Sequence, residues 1–216
     1  MTEPTLETEQ QLLTEHELVI GIDEVGRGAI AGPVAVGACV IATDQLEQGA
    51  PAGVRDSKLL TAKRRLAVEP AARAWALASA VGWATAAEID EYGIGNCLAC
   101  AAIRALGELW QQGIPVDRAA ILLDGSHDWL TGAVQHPIPV LLRPKADRDC
   151  ASVAAASVIA KVARDRHMAE LAASQPEWEV YGWQSNVGYG SAKHRAAIRQ
   201  HGPSLQHRHT WLTKIN

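Results

Sequence analysis

Two adjacent acids that follow an apolar run are the residues with the clearest chemical meaning. Asp23 and Glu24 come directly after the apolar residues 18–22. An unpaired buried charge loses hydration worth several kcal/mol. A buried strand that ends in paired carboxylates therefore needs a positive partner, and a divalent metal ion is a suitable one.

Two further acids lie at the ends of predicted elements. Asp124 closes the apolar run 119–123, and Asp147 precedes a long Ala-rich segment. Carboxylate oxygens suit Mg²⁺ and Mn²⁺, and two such ions about 4 Å apart can activate water and stabilise the leaving oxygen of a phosphodiester. The four acids together favour a metal site. Each also has a simpler interpretation as a turn residue, a helix cap or a partner of a nearby arginine.

The adjacency of Asp23 and Glu24 sets a geometric condition on a shared site. Neighbouring side chains of a regular strand point to opposite faces of the sheet. The strand must therefore twist or end between these two residues, or a backbone carbonyl must contribute. A flat strand that carries both acids into separate environments would argue against one shared site.

The glycine-rich loop after these acids allows several interpretations. Gly26, Arg27 and Gly28 begin a match to the dinucleotide pattern Gly-x-Gly-x-x-Gly/Ala, with Asp44 near the position of a ribose-binding acid. That pattern must open a helix, whereas residues 34–41 predict a strand. The glycines could instead let the backbone approach a nucleic acid, with Arg27 contacting phosphate or sugar. A tight hairpin with a solvated arginine is the third possibility.

The elements that must position these residues form an α/β pattern. Thr61 is a plausible N-cap, Pro70 is expected to kink or break the helix that follows, and the small residues of the Ala-rich segment would let it lie close to a sheet. The succession predicts one mixed sheet flanked by helices. The predicted strands are 17–23, 34–41, 80–86, 118–124 and 138–142, and the predicted helices are 61–79, 96–112, 151–173 and 192–200.

Length and composition suit one globular domain over residues 17–216. The chain has 216 residues, 48% of them hydrophobic, and a net charge of -4. Residues 1–16 are acidic without Lys or Arg, which predicts a disordered tail. No apolar run approaches the roughly 20 residues of a membrane span, and the first residues do not resemble a secretory signal. We therefore expect a cytoplasmic protein without a membrane segment.

The charge distribution along the chain is uneven. From Arg143 onward there are 11 Lys or Arg residues against 6 acids, so a polyanion could dock on the last third, although a basic patch can also arise by chance. Cys97 and Cys100 form a Cys-x-x-Cys pair at the start of a predicted helix. No second pair completes a zinc site, so we interpret both as small buried helix residues.

Several segments match the motifs of one known family, and over nearly everything from Glu17 to the C-terminus the chain resembles ribonuclease HII, the type 2 ribonuclease H. This resemblance implies a ribonuclease H-like fold, with a mixed five-stranded sheet flanked by helices and a small helical C-terminal region. The matching segments are residues 21–28 with 31–33, Asp56-Ser57-Lys58, Asp124-Gly125, Lys145-Ala146-Asp147, residues 154–157 with 160–166, residues 188–190, residues 201–203, and His207-Arg208.

The resemblance also implies an endoribonuclease. It would hydrolyse the phosphodiester 5' of a ribonucleotide in RNA/DNA hybrids, and of single ribonucleotides in duplex DNA, leaving 3'-hydroxyl and 5'-phosphate ends. Two Mg²⁺ or Mn²⁺ ions would be used, and the role would be removal of misincorporated ribonucleotides and RNA primers. By motif position the metal-binding, catalytic acids would be Asp23, Glu24, Asp124 and Asp147.

Seven further residues match substrate-binding positions of the family. The glycine loop would sense the ribose 2'-hydroxyl, which is the group that distinguishes RNA from DNA, and Tyr189 would pack against the adjacent sugar or base. Lys161 has a local alternative in pairing with Asp165 one turn away, and Trp183 is a further candidate for substrate contact. The seven are Gly26, Arg27, Gly28, Ser57, Lys58, Lys161 and Tyr189.

The chain departs from the family pattern in two places. Ala146 stands where the family often has glycine, and the chain ends soon after Trp211 without a visible partner-clamp motif. We expect a monomer without the extra N-terminal domain of ribonuclease HIII. The alternative from another functional class is a catalytically silent binder of hybrid duplexes, which would not cleave them when Mg²⁺ or Mn²⁺ is added.

Overall fold

A computed structural model describes residues 3–214 and is built around one mixed five-stranded sheet. The strand order is β3-β2-β1-β4-β5; β1 pairs antiparallel with β2 and parallel with β4. The pair β2 and β3 is antiparallel, and β4 and β5 are parallel. The predicted sheet is confirmed. Its strands are β1 (Leu18–Val25), β2 (Val34–Ile41), β3 (Ala78–Ala84), β4 (Ala119–Asp124) and β5 (Val140–Arg143).

Helices cover both faces of this sheet. Short 3-10 turns occur at 57–59, 116–118, 176–181 and 209–214. Among residues 3–214, no helix combines the length and the apolar composition that a membrane span requires. The described α-helices are α1 (Glu7–Leu12), α2 (Thr43–Gln48), α3 (Ala62–Trp75), α4 (Ala86–Gln111), α5 (Ala146–Asp149), α6 (Ala151–Ser174), α7 (Trp183–Asn186) and α8 (Ala192–His201).

Helix α6 lies very close to the strands that lead to the acids. A Cβ atom at Gly37 of β2 would collide with the carbonyl oxygen of Ala156 on α6. Small residues on both elements therefore permit the contact, as the Ala-rich segment predicts. Val153, Val158 and Ile159 are fully buried, and burial of each such side chain contributes about 1.5–3 kcal/mol. This packing holds β1 and β2 rigidly beneath the site.

The opposite face of the sheet packs against α4, which is longer than the predicted helix 96–112. Thr85 and Glu88 form a capping box that starts α4 at Ala86. Gly93 has φ 79° and interrupts the helical conformation. The prediction found only the part beyond this interruption, because the glycine breaks the apolar periodicity.

Helix α3 and strand β3 differ from the prediction at their shared boundary. The Thr61 hydroxyl accepts a hydrogen bond from the Arg64 amide at 3.3 Å, so the predicted N-cap is confirmed. The helix continues through Pro70 without a break and ends at Trp75. Strand β3 then begins at Ala78, two residues before the predicted start, because its backbone pairs with β2. Tertiary pairing overrides the helical propensity of the alanines here.

The N-terminal segment differs from the disordered acidic tail predicted for residues 1–16. Within the described residues it forms α1, and Thr5 pairs with Cys150 in an isolated bridge. The carboxylate of Glu9 is fully buried and accepts hydrogen bonds from the amide and hydroxyl of Ser152, both at 2.8 Å. Glu9 thereby satisfies one of the free backbone amides at the start of α6. Local composition could not show this long-range contact.

The last part of the chain forms the expected small helical region. It contains α7, α8 and two 3-10 turns. Its own apolar cluster is centred on the fully buried Trp183 and joins Met168 of α6 to Ile30 and Ala31 in the loop after β1. This region therefore packs directly against the glycine-rich loop.

Candidate active site

The register of two parallel strands brings the first two acids together. Strands β1 and β4 pair in parallel up to Ile22 opposite Leu123. Asp23 and Asp124 are the next residues of these strands, so both lie at the same edge of the sheet. Carboxyl ends of parallel strands are the usual position of ligand sites in open α/β sheets.

Asp147 joins this pair from the helical turn that follows β5. Asp147 lies in the short helix α5 and is buried, with 5% of its surface exposed. The amide nitrogen of Asp147 lies 3.4 Å from Oδ1 of Asp124 and donates a hydrogen bond to it. Lys145, at the start of α5, adopts a left-handed conformation that turns the chain towards this edge. We call Asp23, Asp124 and Asp147 the acid edge.

Glu24 lies beside the acid edge but points to a different partner. Strand β1 remains paired through this residue, with Asp23 opposite Gly37 and Glu24 opposite Val36. The carboxylate of Glu24 forms an ion pair with Arg27 at 3.3 Å. The strand does not end between the two acids, so a site shared by both would require a twist of the strand or a backbone carbonyl ligand. Within residues 3–214, no group of three or more His, Cys, Asp or Glu side chains is arranged to hold a metal ion.

The acid edge is electrostatically unfavourable without a cation. Burial raises the pKa of Asp23 well above its ordinary value; a hydrogen bond from the Ser157 side chain and the charge of Lys58 act in the opposite direction. Burial also raises the pKa of Asp124, and the negative charge of Asp147 adds to that increase. Carboxyls with raised pKa values in a small space are typical of functional sites.

Lys58 supplies the positive charge that the acid edge requires. Its Nζ lies 2.9 Å from Oδ2 of Asp147. Burial lowers the pKa of Lys58, but the hydrogen bond to Asp147 and the charge of Asp23 outweigh it and leave the pKa above its ordinary value. The lysine side chain is 68% exposed, so it can swing away. Carboxylate oxygens are the ligands that hard divalent cations prefer. Such an ion would take the place of the Lys58 ammonium group.

The glycine-rich loop leads from β1 into β2, so the dinucleotide interpretation is wrong. The fingerprint requires a helix directly after Gly28, whereas the next element is strand β2. Gly26 has φ 81°, and a Cβ atom there would overlap the guanidinium of Arg164. Gly28 has open space around its Cα, and the Arg27 side chain is 51% exposed. The first glycine is thus required by the fold, whereas Arg27 and Gly28 face outward.

Lys161 of α6 lies beside Tyr189, which belongs to the loop between α7 and α8. The Lys161 Nζ lies 2.6 Å from Asp165, which confirms the local pairing. The same ammonium lies 5.7 Å from the centre of the Tyr189 ring. Tyr189 is exposed, so its ring is available to a ligand.

Ser57 and Trp183 are both buried. The Ser57 hydroxyl lies 2.9 Å from the hydroxyl of Ser157, which itself hydrogen-bonds Asp23. Ser57 therefore supports the acid edge from behind. Trp183 is fully buried and donates its indole N–H to His194 at 3.1 Å. Its predicted contact with substrate is wrong, because it forms the core of the C-terminal region.

The cysteine pair is divided between core and surface. Cys97 is buried in α4, as predicted, whereas Cys100 is exposed. Residues three apart on a helix point only about 60° apart around its axis, so this pair lies at the boundary between the buried and the exposed face of α4. Both are free thiols.

Four side chains that organise the site were given no role by the sequence argument. Arg65 donates to the carbonyl oxygens of Ser57 at 3.0 Å and Leu60 at 2.6 Å, and thereby holds the loop that carries Lys58. For Arg164 the sequence does contain a signal, because an arginine in a segment of small apolar helix residues indicates a buried charge with specific partners. The four are Arg65, Ser157, Arg164 and Arg208.

Solved structures share this fold and cover nearly the whole chain. The ribonuclease H2 from Pyrococcus horikoshii OT3 aligns with a TM-score of 0.69 and 27% identity over 90% of this chain and 93% of that one. The ribonuclease HII from Archaeoglobus fulgidus, solved in a complex with PCNA, aligns with a TM-score of 0.67 and 25% identity over 91% and 94%. The fold is therefore that of the ribonucleases H of type 2, as predicted.

Sequence comparison defines the family more closely. The ribonuclease HII family model matches residues 20–214. The ribonuclease HII of Streptomyces griseus is 44% identical over 207 residues, which cover 96% of this chain and 82% of that protein. The chain belongs to the ribonuclease HII family. The predictions of this family and of an endonuclease hydrolase of the ribonuclease H type are confirmed.

Proposed function

We propose that this chain hydrolyses the phosphodiester 5' of a ribonucleotide, both in RNA/DNA hybrids and at single ribonucleotides within duplex DNA, and leaves 3'-hydroxyl and 5'-phosphate ends. One observation supports this most directly. Strand β1 carries Asp23 of the acid edge and continues into the exposed Arg27 and Gly28. A cleaving site near the end of β1 and a ribose-reading loop directly after it would select the bond at a fixed distance from the ribose.

The acid edge, with Glu24, would hold two divalent ions, either Mg²⁺ or Mn²⁺. When bound, such ions lower the pKa of a water nucleophile and stabilise the leaving oxygen of a phosphodiester. The protein would contribute orientation, because Asp23 and Asp124 are fixed by β1 and β4 and Asp147 by α5. Glu24 would have to release Arg27, and Lys58 would have to release Asp147, for all four carboxylates to act together.

The substrate would be bound by the exposed Arg27, Gly28, Lys58 and Tyr189 and by the half-buried Lys161. Arg27 and Gly28 would approach the ribose, where the 2'-hydroxyl can donate and accept hydrogen bonds. Tyr189 would pack against the adjacent sugar or base. Lys58 and Lys161 would lie along the phosphate backbone; the Lys58 ammonium is paired with Asp147 of the acid edge, and the Lys161 ammonium lies beside the Tyr189 ring. Gly26 and Ser57 would act by shaping the loops that present these groups.

The cellular role we propose is removal of misincorporated ribonucleotides and RNA primers by a cytoplasmic monomer. The Archaeoglobus relative was solved with PCNA. That complex is a property of the relative, and our proposal for this chain does not include such a partner.

A matched pair of variants tests the proposed function. The substrate is a DNA duplex with one ribonucleotide, incubated with Mg²⁺ or Mn²⁺ and analysed for cut position and end chemistry. Asp124→Asn should lower cleavage by more than the roughly 10–100-fold that loss of an outer-shell partner costs a metal site. Asp117→Asn is the control, because this exposed aspartate precedes the opposite end of the same strand.

Two results would contradict the proposal. A wild-type protein that binds the duplex but leaves it intact with either ion would favour a silent hybrid-binding protein. Cleavage on the 3' side of the ribonucleotide would contradict the reading role of Arg27 and Gly28.

A further inference from the structure

Two loops that present substrate-binding residues are joined directly to each other. The amides of Ile30 and Ala31, in the loop after β1, donate to the carbonyl oxygen of Gly188 at 2.9 and 3.1 Å. The amide of Gly32 donates to the carbonyl oxygen of Gln206 at 2.7 Å. The glycine-rich loop, the Tyr189 loop and the C-terminal segment around residue 206 therefore form one hydrogen-bonded unit.

A buried arginine lies at the centre of this unit. Arg208 is fully buried. Its guanidinium donates to the carbonyl oxygens of Gly26 at 2.7 Å, Arg27 at 2.9 Å and Gly32 at 3.1 Å. Its own amide donates to the carbonyl oxygen of Ile30 at 2.9 Å. One residue thus contacts the backbone on both sides of the exposed Gly28.

Arg164 of α6 completes the contact from the opposite side. It is also fully buried, and it donates to the carbonyl oxygens of Pro33 at 2.8 Å, Ala31 at 3.2 Å and Val187 at 2.8 Å. The last of these bonds reaches the Tyr189 loop. We call Arg164 and Arg208 the arginine bracket.

A histidine pair links the bracket to Tyr189. The carbonyl oxygen of Tyr189 lies 2.9 Å from Nδ1 of His194. The Nε2 of His194 lies 3.1 Å from Nε2 of His207, the residue that precedes Arg208. The two substrate-binding loops are therefore connected through side chains as well as through backbone hydrogen bonds.

The energetics favour a single conformation of the glycine-rich loop. A buried donor that loses its acceptor costs about 1–3 kcal/mol, and more when it is charged. The hydrogen bonds described for Arg208 all end on backbone carbonyl oxygens of this loop. Any other conformation of residues 26–32 would leave the buried guanidinium with unpaired donors. The loop is therefore held in place before a substrate arrives.

We infer that Arg208 is a positioning residue for ribose selection. It has no exposed surface and cannot touch a nucleic acid. By holding the carbonyls on both sides of Gly28, it would pre-organise the backbone that reads the 2'-hydroxyl. Binding to a pre-organised loop avoids the entropic cost of ordering it. This inference rests on the proposed function, because it presumes that the loop reads ribose.

The experiment compares two duplexes that differ by one hydroxyl group. Asp124→Asn serves as a cleavage-blocked background, and equilibrium affinity is measured for a duplex with one ribonucleotide and for the same duplex made of DNA only. Arg208→Met should weaken binding of the ribonucleotide duplex about tenfold, as expected for one lost directional contact. Binding of the all-DNA duplex should change by less than about twofold, because exposed phosphate-binding residues remain. Arg208→Lys should lie between Met and wild type, since an ammonium can replace some of the donors.

Matched variants separate positioning from general damage. The ratio of the affinity for the ribonucleotide duplex to that for the all-DNA duplex is the quantity compared. Arg118→Met removes an exposed arginine that pairs with Glu17 at the far end of β4, and it should leave this ratio unchanged. His194→Gln keeps both arginines but weakens the link to Tyr189, and it should reduce the ratio less than Arg208→Met. If Arg208→Met fails to fold, by circular dichroism, Arg208→Lys and His194→Gln decide the question.

The outcomes distinguish this inference from the proposed function. If the background protein binds both duplexes equally, the proposed ribose reading fails. If that protein discriminates and the Arg208 and His194 variants retain the full ratio, the positioning role fails. An equal loss on both duplexes would also overturn it, because such a loss indicates general damage to nucleic-acid binding.

Discussion

The acid edge and the arginine bracket are two buried charged regions that are stabilised in opposite ways, although only three positions separate Asp23 of the first from Gly26, whose carbonyl oxygen is bound by the second. The acid edge gathers like charges whose pKa values are raised by burial, and its ion pair is with the exposed Lys58. The arginine bracket directs its donors at backbone carbonyls and is satisfied by the protein itself. We infer that the acid edge depends on a ligand for its stability, whereas the loop proposed to read the substrate is held in place beforehand.

The strongest test of this contrast is Asp23→Asn. Cleavage should fall more than the roughly 10–100-fold cost of losing an outer-shell partner of a metal site. The free energy of unfolding in the absence of metal should not fall, because the neutral amide removes a buried group whose pKa is raised by burial. Both are measured on one preparation, by cleavage assay and urea denaturation. A marked loss of stability would show that the acid edge holds the fold together, contrary to the comparison.

The histidine pair that links the arginine bracket to Tyr189 should make the stability of the protein depend on pH. Burial and the neighbouring His194 lower the pKa of His207 from 6.5 to about 4. The unfolded chain therefore binds this proton first, so stability present above pH 6.5 is lost as the pH falls towards 4. This lowering of the His207 pKa corresponds to about 3 kcal/mol in the free energy of unfolding. His207→Asn should lose correspondingly less stability over this interval.

Urea denaturation between pH 7 and pH 4 provides the measurement for His207. His127→Asn, in an exposed loop, is the matched control and should follow the wild type. Parallel curves for the wild type and His207→Asn would contradict the assigned role of the histidine pair.

A smaller effect is expected at the ion pair between Lys58 and Asp147. If Lys58 stands in for a metal ion, Lys58→Met should tighten Mn²⁺ binding in the absence of nucleic acid. The increase should not exceed about fivefold, because an exposed ion pair is worth at most about 1 kcal/mol. Isothermal titration calorimetry measures it, and Lys63→Met on the exposed face of α3 is the control. If Lys58→Met leaves Mn²⁺ binding unchanged or weakens it, Lys58 does not compete with the ion for the carboxylates.

Glu9 offers an internal reference for the acid edge, with the smallest expected effect. Burial raises its pKa, and its Oε2 is buried without a hydrogen-bond partner among the described residues. A raised carboxyl pKa means that stability is lost as the pH rises from about 4.5 through the folded-state value. Glu9→Gln should therefore be slightly more stable than wild type at pH 8 and not at pH 4, with cleavage unaffected. A loss of cleavage would extend the active site to α1.

The chemistry of the acid edge could be predicted from particular residues. Asp23 and Asp124 end apolar runs, and an apolar run that stops at a carboxylate marks a strand whose end meets solvent or a ligand. Strand β2 and helix α6 were also predictable, because a continuous apolar run and a long Ala-rich run have strong local signals. The start of β3 and the part of α4 before Gly93 could not be predicted. Pairing with β2 sets the start of β3, and the non-helical conformation of Gly93 interrupts α4.

The buried partners of the site were beyond prediction for a different reason. Arg208 contacts residues 176 to 182 positions earlier in the chain, and Glu9 contacts a residue 143 positions later. Such contacts follow no periodicity in the sequence. From the sequence alone, Arg208 and Glu9 could equally be charged residues exposed to solvent. Trp183 illustrates the reverse error, since proximity in sequence to Tyr189 suggested a surface residue that is in fact fully buried.

The sequence by itself determined which groups are available: hard carboxylate oxygens at strand ends, two glycines beside an arginine, and a tyrosine in a glycine-rich loop. Only the tertiary structure decided how these groups are held. The register of β1 and β4 sets the acids side by side, and the arginine bracket sets the loop beside Tyr189. The physical reason is that side-chain chemistry is local, whereas burial and hydrogen-bond satisfaction depend on segments that meet only in the folded chain.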